Sequence, residues 1–207
     1  MATLKGTQTE KNILTAFAGE SQARNRYTFF ASAAQKEGFQ AIAKIFLETA
    51  EQEKEHASRL FKYLEGGEIE ITAAFPAGKI GTTLENLKAA AYGEHEENTD
   101  MYPKFAATAA AEGFPAIAEV LKHIGYAERY HEARYRALID GIEKGTLFKQ
   151  PNDVMWRCTN CGNWHIGKDA PDLCSACLHP QGFFISDGTI NNCDTTEGFC
   201  KIADTKK

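Results

Sequence analysis

A chain of 207 residues, 43% hydrophobic and 25% charged, has room for one sizeable core plus a small appendage and the composition of a folded globular protein. Its net charge of −5, from 23 basic and 28 acidic residues with no basic run, lacks the electrostatic footprint of a nucleic-acid binder. With no apolar leader after Met1 and no run of about 18 apolar residues, neither export nor a membrane partner is expected; the cytoplasm is the expected compartment, and the six cysteines read as thiols or metal ligands rather than a disulfide framework.

In chain order, Thr7 with Glu10 has the spacing of a capping box and opens a helix expected over 8–36. The segment Glu37-Gly38-Phe39 breaks it, and a second helix is expected over 39–65. Residues 66–81, rich in glycine and too long for a tight hairpin, form a crossover. Thr82 with Glu85 opens a third helix over 83–111, and Pro115 suits the first turn of a fourth over 115–143. The two halves are a repeat: Glu37-Gly38-Phe39-Gln40-Ala41-Ile42-Ala43-Lys44 returns 75 positions later as Glu112-Gly113-Phe114-Pro115-Ala116-Ile117-Ala118-Glu119, with six of eight residues identical. Short, long and short connections between four helices resemble the ferritin-like four-helix bundle with one long crossover, so the fold is expected to be mainly α over 1–147. Helical periodicity then stops, and a small cysteine-rich domain is expected over 152–186, followed by an extension over 187–207. Such a small domain needs a crosslink or a metal to hold it together.

The inward seam of helix two reads Ile42, Phe46, Thr49, Glu53, His56 and Leu60; that of helix four reads Ile117, Leu121, Ile124, Glu128, His131, Tyr135 and Leu138. Each is apolar except for one Glu and one His three residues apart, adjacent on one helical face. Helix one contributes Glu20 and helix three Glu94 and Glu97. Five inward carboxylates with two imidazoles need a countercharge, because a buried uncompensated carboxylate is costly. Two metal ions bridged by Glu53 and Glu128, and capped by His56, His131, Glu20 and Glu94, would supply it with the ligand types and spacings of di-iron carboxylate bundles. A single Glu-x-x-His pair is common on helix surfaces; two at one offset are not. Glu10, Glu48, Glu51, Glu55, Glu65, Glu96 and Glu132 are expected to be exposed charges.

Two irregularities stand out. Gly19-Glu20 maps onto Gly93-Glu94 at an offset of 74, whereas Tyr27 maps onto Tyr102 at 75. The extra residue in helix three predicts a π-bulge beside the metals. Glu97, whose counterpart in helix one is Ala23, offers a seventh ligand. Tyr27 and Tyr102 are expected to hydrogen-bond to the metal-binding carboxylates, with plain core packing as the alternative. His95, His123, His165 and His179 fall off the ligand seams.

Cys158-Thr159-Asn160-Cys161 and Cys174-Ser175-Ala176-Cys177 are two Cys-x-x-Cys pairs, a spacing that closes tetrahedrally around one ion. Four thiolates suit zinc and a single iron alike, so a structural zinc ribbon remains open; attachment to a redox bundle favours iron. Cys193 and Cys200 lack partner spacing and read as exposed thiols.

Together these motifs resemble the rubrerythrin family over nearly the whole chain to about residue 186. The resemblance implies a non-haem peroxidase that reduces hydrogen peroxide to water, with electrons from NAD(P)H passing through separate reductases or rubredoxin and then a rubredoxin-like Cys-ligated iron, in oxidative stress protection. It also implies that His56 and Glu97 are alternative ligands of one iron, His56 in the reduced state and Glu97 in the oxidised. Two departures from the family pattern are Ser175, where proline is usual, and Asn163-Trp164, where a Gly-Tyr segment is usual. Glu128 lies thirteen residues before Gly141, roughly 20 Å along a helix. The cysteine domain must therefore fold back along its own bundle or dock on a neighbour, and the resemblance favours a head-to-tail homodimer. A ferritin-type protein that oxidises and stores iron is the competing reading.

Overall fold

The computed structural model describes residues 3–186. Helices α1 (Gln8–Lys36) and α2 (Gln40–Phe61) form the first hairpin. The second consists of α3 (Thr83–Glu96), a π-helical turn (Glu97–Met101) and α4 (Tyr102–Ala111), which together make one continuous rod, and α5 (Pro115–Glu143). Strands β1 (Lys149–Cys158), β2 (Trp164–Asp169) and β3 (Phe184–Ser186) form a three-stranded antiparallel sheet in the order β2-β1-β3. Among the described residues no helix is long and apolar enough to cross a membrane.

The helix starts follow from their caps. Thr82 and Glu85 close a full capping box, whereas Thr7 accepts from the Glu10 amide and Glu10 reaches back one residue further, to the Gly6 amide. Glu10 is therefore buried, not an exposed charge. Helix α2 ends at Phe61 rather than at 65, in a turn closed by the Tyr63 and Leu64 amides, and the chain then leaves through Gly66 and Gly67, both at positive φ. The crossover passes over α1: the Pro76 carbonyl accepts from Gln22, and Phe75 lies so close over Gly19 that a methyl group there would sit 3.7 Å from its ring. This seals the bundle beside Glu20.

Two apolar layers bracket the middle of the bundle. One, nearer the Gly38 end, holds Tyr27, Phe30, Phe46, Leu87, Tyr135 and Leu138; the other holds Ile13, Leu60, Tyr102, Leu121 and Ile124. Between them every helix turns a polar group inward.

The cysteine module has its own small core of Trp156, Cys158, Ala170, Cys174 and Phe184. It is seated on its own bundle at the α1–α2 turn. There Ile185 joins the bundle's core, Lys44 donates to the Thr159 carbonyl, and Gly182 meets the Gly38 carbonyl so closely that any side chain at 182 would collide with it. Within the chain the module thus touches the Gly38 end of its own bundle. Cys193, Cys200 and the extension over 187–207 lie outside the described residues.

Candidate metal centre

Midway along the bundle, Glu20, Glu53, His56 and Glu128 each bring one donor atom to within 4.8 Å of the others, and so do Glu53, Glu94, Glu128 and His131. Glu53 and Glu128 belong to both groups, as bridging carboxylates must. His56 Nδ1 lies 3.0 Å from Glu53 and Glu128 and 3.6 Å from Glu20; His131 Nδ1 lies 2.8 Å from Glu128, 3.2 Å from Glu53 and 3.3 Å from Glu94. All are buried except His56, which keeps 17% of its side-chain surface and marks the partly open wall.

The test of whether these residues fit metal ions is where their lone pairs point. Glu20 Oε2, Glu53 Oε1, Glu94 Oε2, both Glu128 oxygens and His131 Nδ1 are buried without a hydrogen-bond partner, although other donor atoms lie close by. Orphaned atoms in such number are costly unless they converge on a cation. They do converge, and all are nitrogen or carboxylate oxygen, a donor set for iron.

Electrostatics agree. Burial, helped by the charge of Glu53, pushes the Glu20 carboxyl up to about 7 and the Glu94 carboxyl up to about 8. Burial opposes charge on the imidazoles, yet the carboxylates of Glu128, Glu20 and Glu53 facing His56 lift it to about 12, and the facing carboxylates raise His131 as well. Glu53 is held below its usual value despite burial and Glu128, because both imidazoles face it. Protonated imidazoles thus stand in for the positive charge that the carboxylates demand.

Tyr27 donates to Glu94 and Tyr102 to Glu20, crossing between helices one and three in both directions. Burial first, then the neighbouring carboxylates, keeps both phenols protonated and able to donate. Glu97 occupies the π turn, half-buried and outside the two donor groups; burial and the charge of Glu94 raise its carboxyl well above the usual range. The π turn itself falls where the 74-to-75 slip requires it, with the Tyr102 amide reaching back five residues to the Glu97 carbonyl.

Sequence reasoning missed Gln52 and Glu132. Gln52 Oε1 lies 3.0 Å from His131 Nε2 and accepts its N–H, which orients the ring so that Nδ1 faces the carboxylates, carrying a proton in the metal-free core and free to bind a metal once that proton is lost. Glu132, expected on the surface, is buried and contacts His95, Asn98 and Arg136. Each stands one position from a seam residue, and only the partner helix reveals its role.

In the module the Sγ atoms of Cys158 and Cys177 are 3.8 Å apart and those of Cys161 and Cys174 3.7 Å. A tetrahedron with metal–sulfur bonds of about 2.3 Å has edges of about 3.8 Å, so the cage is already at the size of one ion. Gly162 and Leu178 take matching left-handed conformations just after the two Cys-x-x-Cys knuckles, an unusual posture for leucine. The His179 backbone amide draws the Cys177 thiol down to about 6, toward the thiolate that binds metal.

The fold and the two sites define a carboxylate-bridged di-iron bundle joined to a four-cysteine, rubredoxin-like centre. Residues 11–139 match the rubrerythrin family model and residues 156–185 match that of the rubrerythrin rubredoxin-like domain. A rubrerythrin of Porphyromonas gingivalis is 59% identical over 181 residues, covering 87% of this chain and 90% of the relative; one of Nitratidesulfovibrio vulgaris is 56% identical over 184 residues, covering 89% and 96%. A partially reduced nigerythrin superimposes with a TM-score of 0.58 at 31% identity, over 89% of this chain and 91% of that one. The chain belongs to the rubrerythrin family.

Its module carries a departure with a consequence. The Asn163 side-chain amide donates to Cys174 Sγ at 3.6 Å and to Ser175 Oγ at 3.2 Å. Reducing an iron held by four cysteines adds negative charge to the sulfurs, and a hydrogen bond to sulfur stabilises that charge. Asn163→Ala is expected to lower the potential of this centre, on the order of the 59 mV that a tenfold change in a one-electron equilibrium represents. A spectroelectrochemical titration giving an unchanged potential would show that this bond does not tune the iron.

Proposed function

We propose that this chain is a cytoplasmic non-haem peroxidase that protects against oxidative stress by reducing hydrogen peroxide to water, with electrons drawn through the cysteine-ligated iron from an NAD(P)H-linked donor, either rubredoxin or a reductase. The observation that carries this reading is the pairing, in one chain, of a buried two-metal donor set with a four-sulfur cage seated on the same bundle. The division into a bundle over 1–147, a module over 152–186 and an extension over 187–207 follows the same logic.

When bound, the iron pair supplies Lewis acidity and the two electrons that peroxide needs. The residues of the chain do the rest. Glu53 and Glu128, shared by both donor groups, would hold the two ions between them, with Glu20, Glu94 and His131 as further ligands and His56 and Glu97 as alternative ligands of one ion. Half-buried His56 leaves the wall through which a molecule as small as peroxide enters. Conversion of one peroxide to two waters takes up two electrons and two protons. In the metal-free chain burial and the charge of Glu94 raise the Glu97 carboxyl well above its usual range, which makes it the candidate for carrying a proton to the site. Tyr27 and Tyr102 donate to Glu94 and Glu20 and hold those carboxylates in place.

Anaerobic, peroxide-dependent oxidation of NADH through a rubredoxin reductase and rubredoxin is expected, and it is expected to stop when the bundle iron is withheld. Its absence with fully loaded protein would count against the peroxidase. A head-to-tail homodimer, supported by family resemblance and by the length of α5 beyond Glu128, would bring a second module near the open wall. Gel filtration showing only a 22.8 kDa monomer with undiminished turnover would eliminate the dimer.

A further inference from the structure

The π turn that carries Glu97 is held from outside the metal site. The Asn98 side-chain amide donates to the Glu94 carbonyl at 2.7 Å and to Glu132 Oε2 on α5 at 2.8 Å. The other Glu132 oxygen takes His95 Nδ1 at 3.0 Å and Arg136 Nε at 2.6 Å. Thr99 donates to the His95 carbonyl at 2.6 Å. So Glu132 ties the last turn of α3 and the π turn to α5.

Packing of the π turn on α5 supplies only part of this restraint. A cavity of about 720 Å³ opens there, bounded by His95, Asn98, Thr99, Tyr102, Arg129 and Glu132. A π turn is a strained departure from α-helical bonding, and with empty space behind it the segment could relax toward a regular helix. Such a slip would rotate Glu94 relative to Tyr102 and withdraw Glu97.

We propose that Glu132 is a positioning residue for the di-iron site: acting through Asn98, it fixes the π register that presents Glu94 and Glu97 to the metals. This rests on the di-iron reading of the bundle. The role differs from that of Gln52, which orients a histidine directly.

The test uses the full chain, stripped of metal and titrated anaerobically with ferrous iron against a competing chelator; the cysteine site, which refills in the same titration and colours on subsequent oxidation, serves as an internal control for folding. Glu132→Ala and Asn98→Ala are each expected to weaken iron binding in the bundle roughly tenfold, as loss of a supporting residue does. The double variant is expected to be no worse than either single one, because both remove one tether. Amides 97–101 exchange hydrogen faster in all three, and the colour of the ferric cysteine centre is unchanged. Glu132→Gln, which keeps an oxygen for Asn98, recovers most of the affinity, and Arg136→Ala leaves it intact. Additive losses in the double variant, no loss in the singles, or an Arg136→Ala as damaging as Glu132→Ala would each overturn the proposal. A parent bundle that takes up no iron while the cysteine centre colours normally would overturn the di-iron reading itself and this inference with it.

Discussion

Replacing Glu128 with glutamine is expected to empty the bundle of iron while leaving the cysteine centre coloured. Glu128 Oε1 sits 3.0 Å from His56 Nδ1 and Oε2 2.8 Å from His131 Nδ1, so this one carboxylate reaches both metal positions. Glutamine keeps the volume and the fold but is not an anion and cannot bridge. Supporting residues outside the donor set already cost about 10–100-fold in metal affinity. Losing a bridging carboxylate should therefore cost at least about a hundredfold in affinity, and peroxide turnover should fall at least as far. Iron analysis alongside steady-state turnover checks this. Glu128→Gln with a full iron complement and parental turnover would remove Glu128 from the centre. Protein folding is expected to survive, since the variant relieves the metal-free core of one buried negative charge.

The second large effect is on the metal-free protein, which is expected to melt at progressively lower temperature as pH rises from about 5 to about 9. The carboxyls of Glu20 and Glu94, raised to about 7 and about 8, bind more protons folded than unfolded above the usual carboxylate value. Their contribution is fully present below the unfolded value of about 4.5 and is lost as pH rises through about 7 to 8. His56, raised to about 12, acts in the same direction: its stabilisation begins to fall above the unfolded value of about 6.5 and continues to fall toward 12. Glu53, held low, loses stability only on the acid side and does not oppose the trend. Each pKa unit is about 1.4 kcal/mol, and about 1 kcal/mol moves melting by roughly 2–4 °C in a chain of this size, so a fall of several degrees is expected. Iron replaces these protons. Loading should release them and remove the decline, because deprotonated ligands bind metal better at higher pH. A metal-free protein with the same melting temperature at both ends of that range would contradict the assigned burial of these groups.

Much of this was legible in the sequence because the repeat carries physics. The matched Glu53-x-x-His56 and Glu128-x-x-His131 put polar groups on seams that are otherwise apolar, and the slip from 74 to 75 called for a π-bulge between Glu94 and Tyr102, where the structure has one at Glu97–Met101. What escaped depends on long-range contact. Glu132 follows His131 directly and falls at the edge of the stripe, so its burial is decided by His95 and Asn98 on another helix. Gln52 looks like a surface residue until His131 is placed beside it. The seat of the module depends on Gly182, whose missing side chain lets it meet the Gly38 carbonyl, a contact between positions far apart in sequence that leaves no periodic trace.

The central claim, a peroxide-reactive iron pair wired to a cysteine-ligated iron, is tested most directly by reducing the loaded protein anaerobically, adding substoichiometric hydrogen peroxide and following the visible absorption of the ferric thiolate centre. Rapid return of colour, at two electrons per peroxide, is the predicted result. A protein that stays colourless in both states would place zinc in the four-sulfur cage and leave iron oxidation by the bundle as the better account.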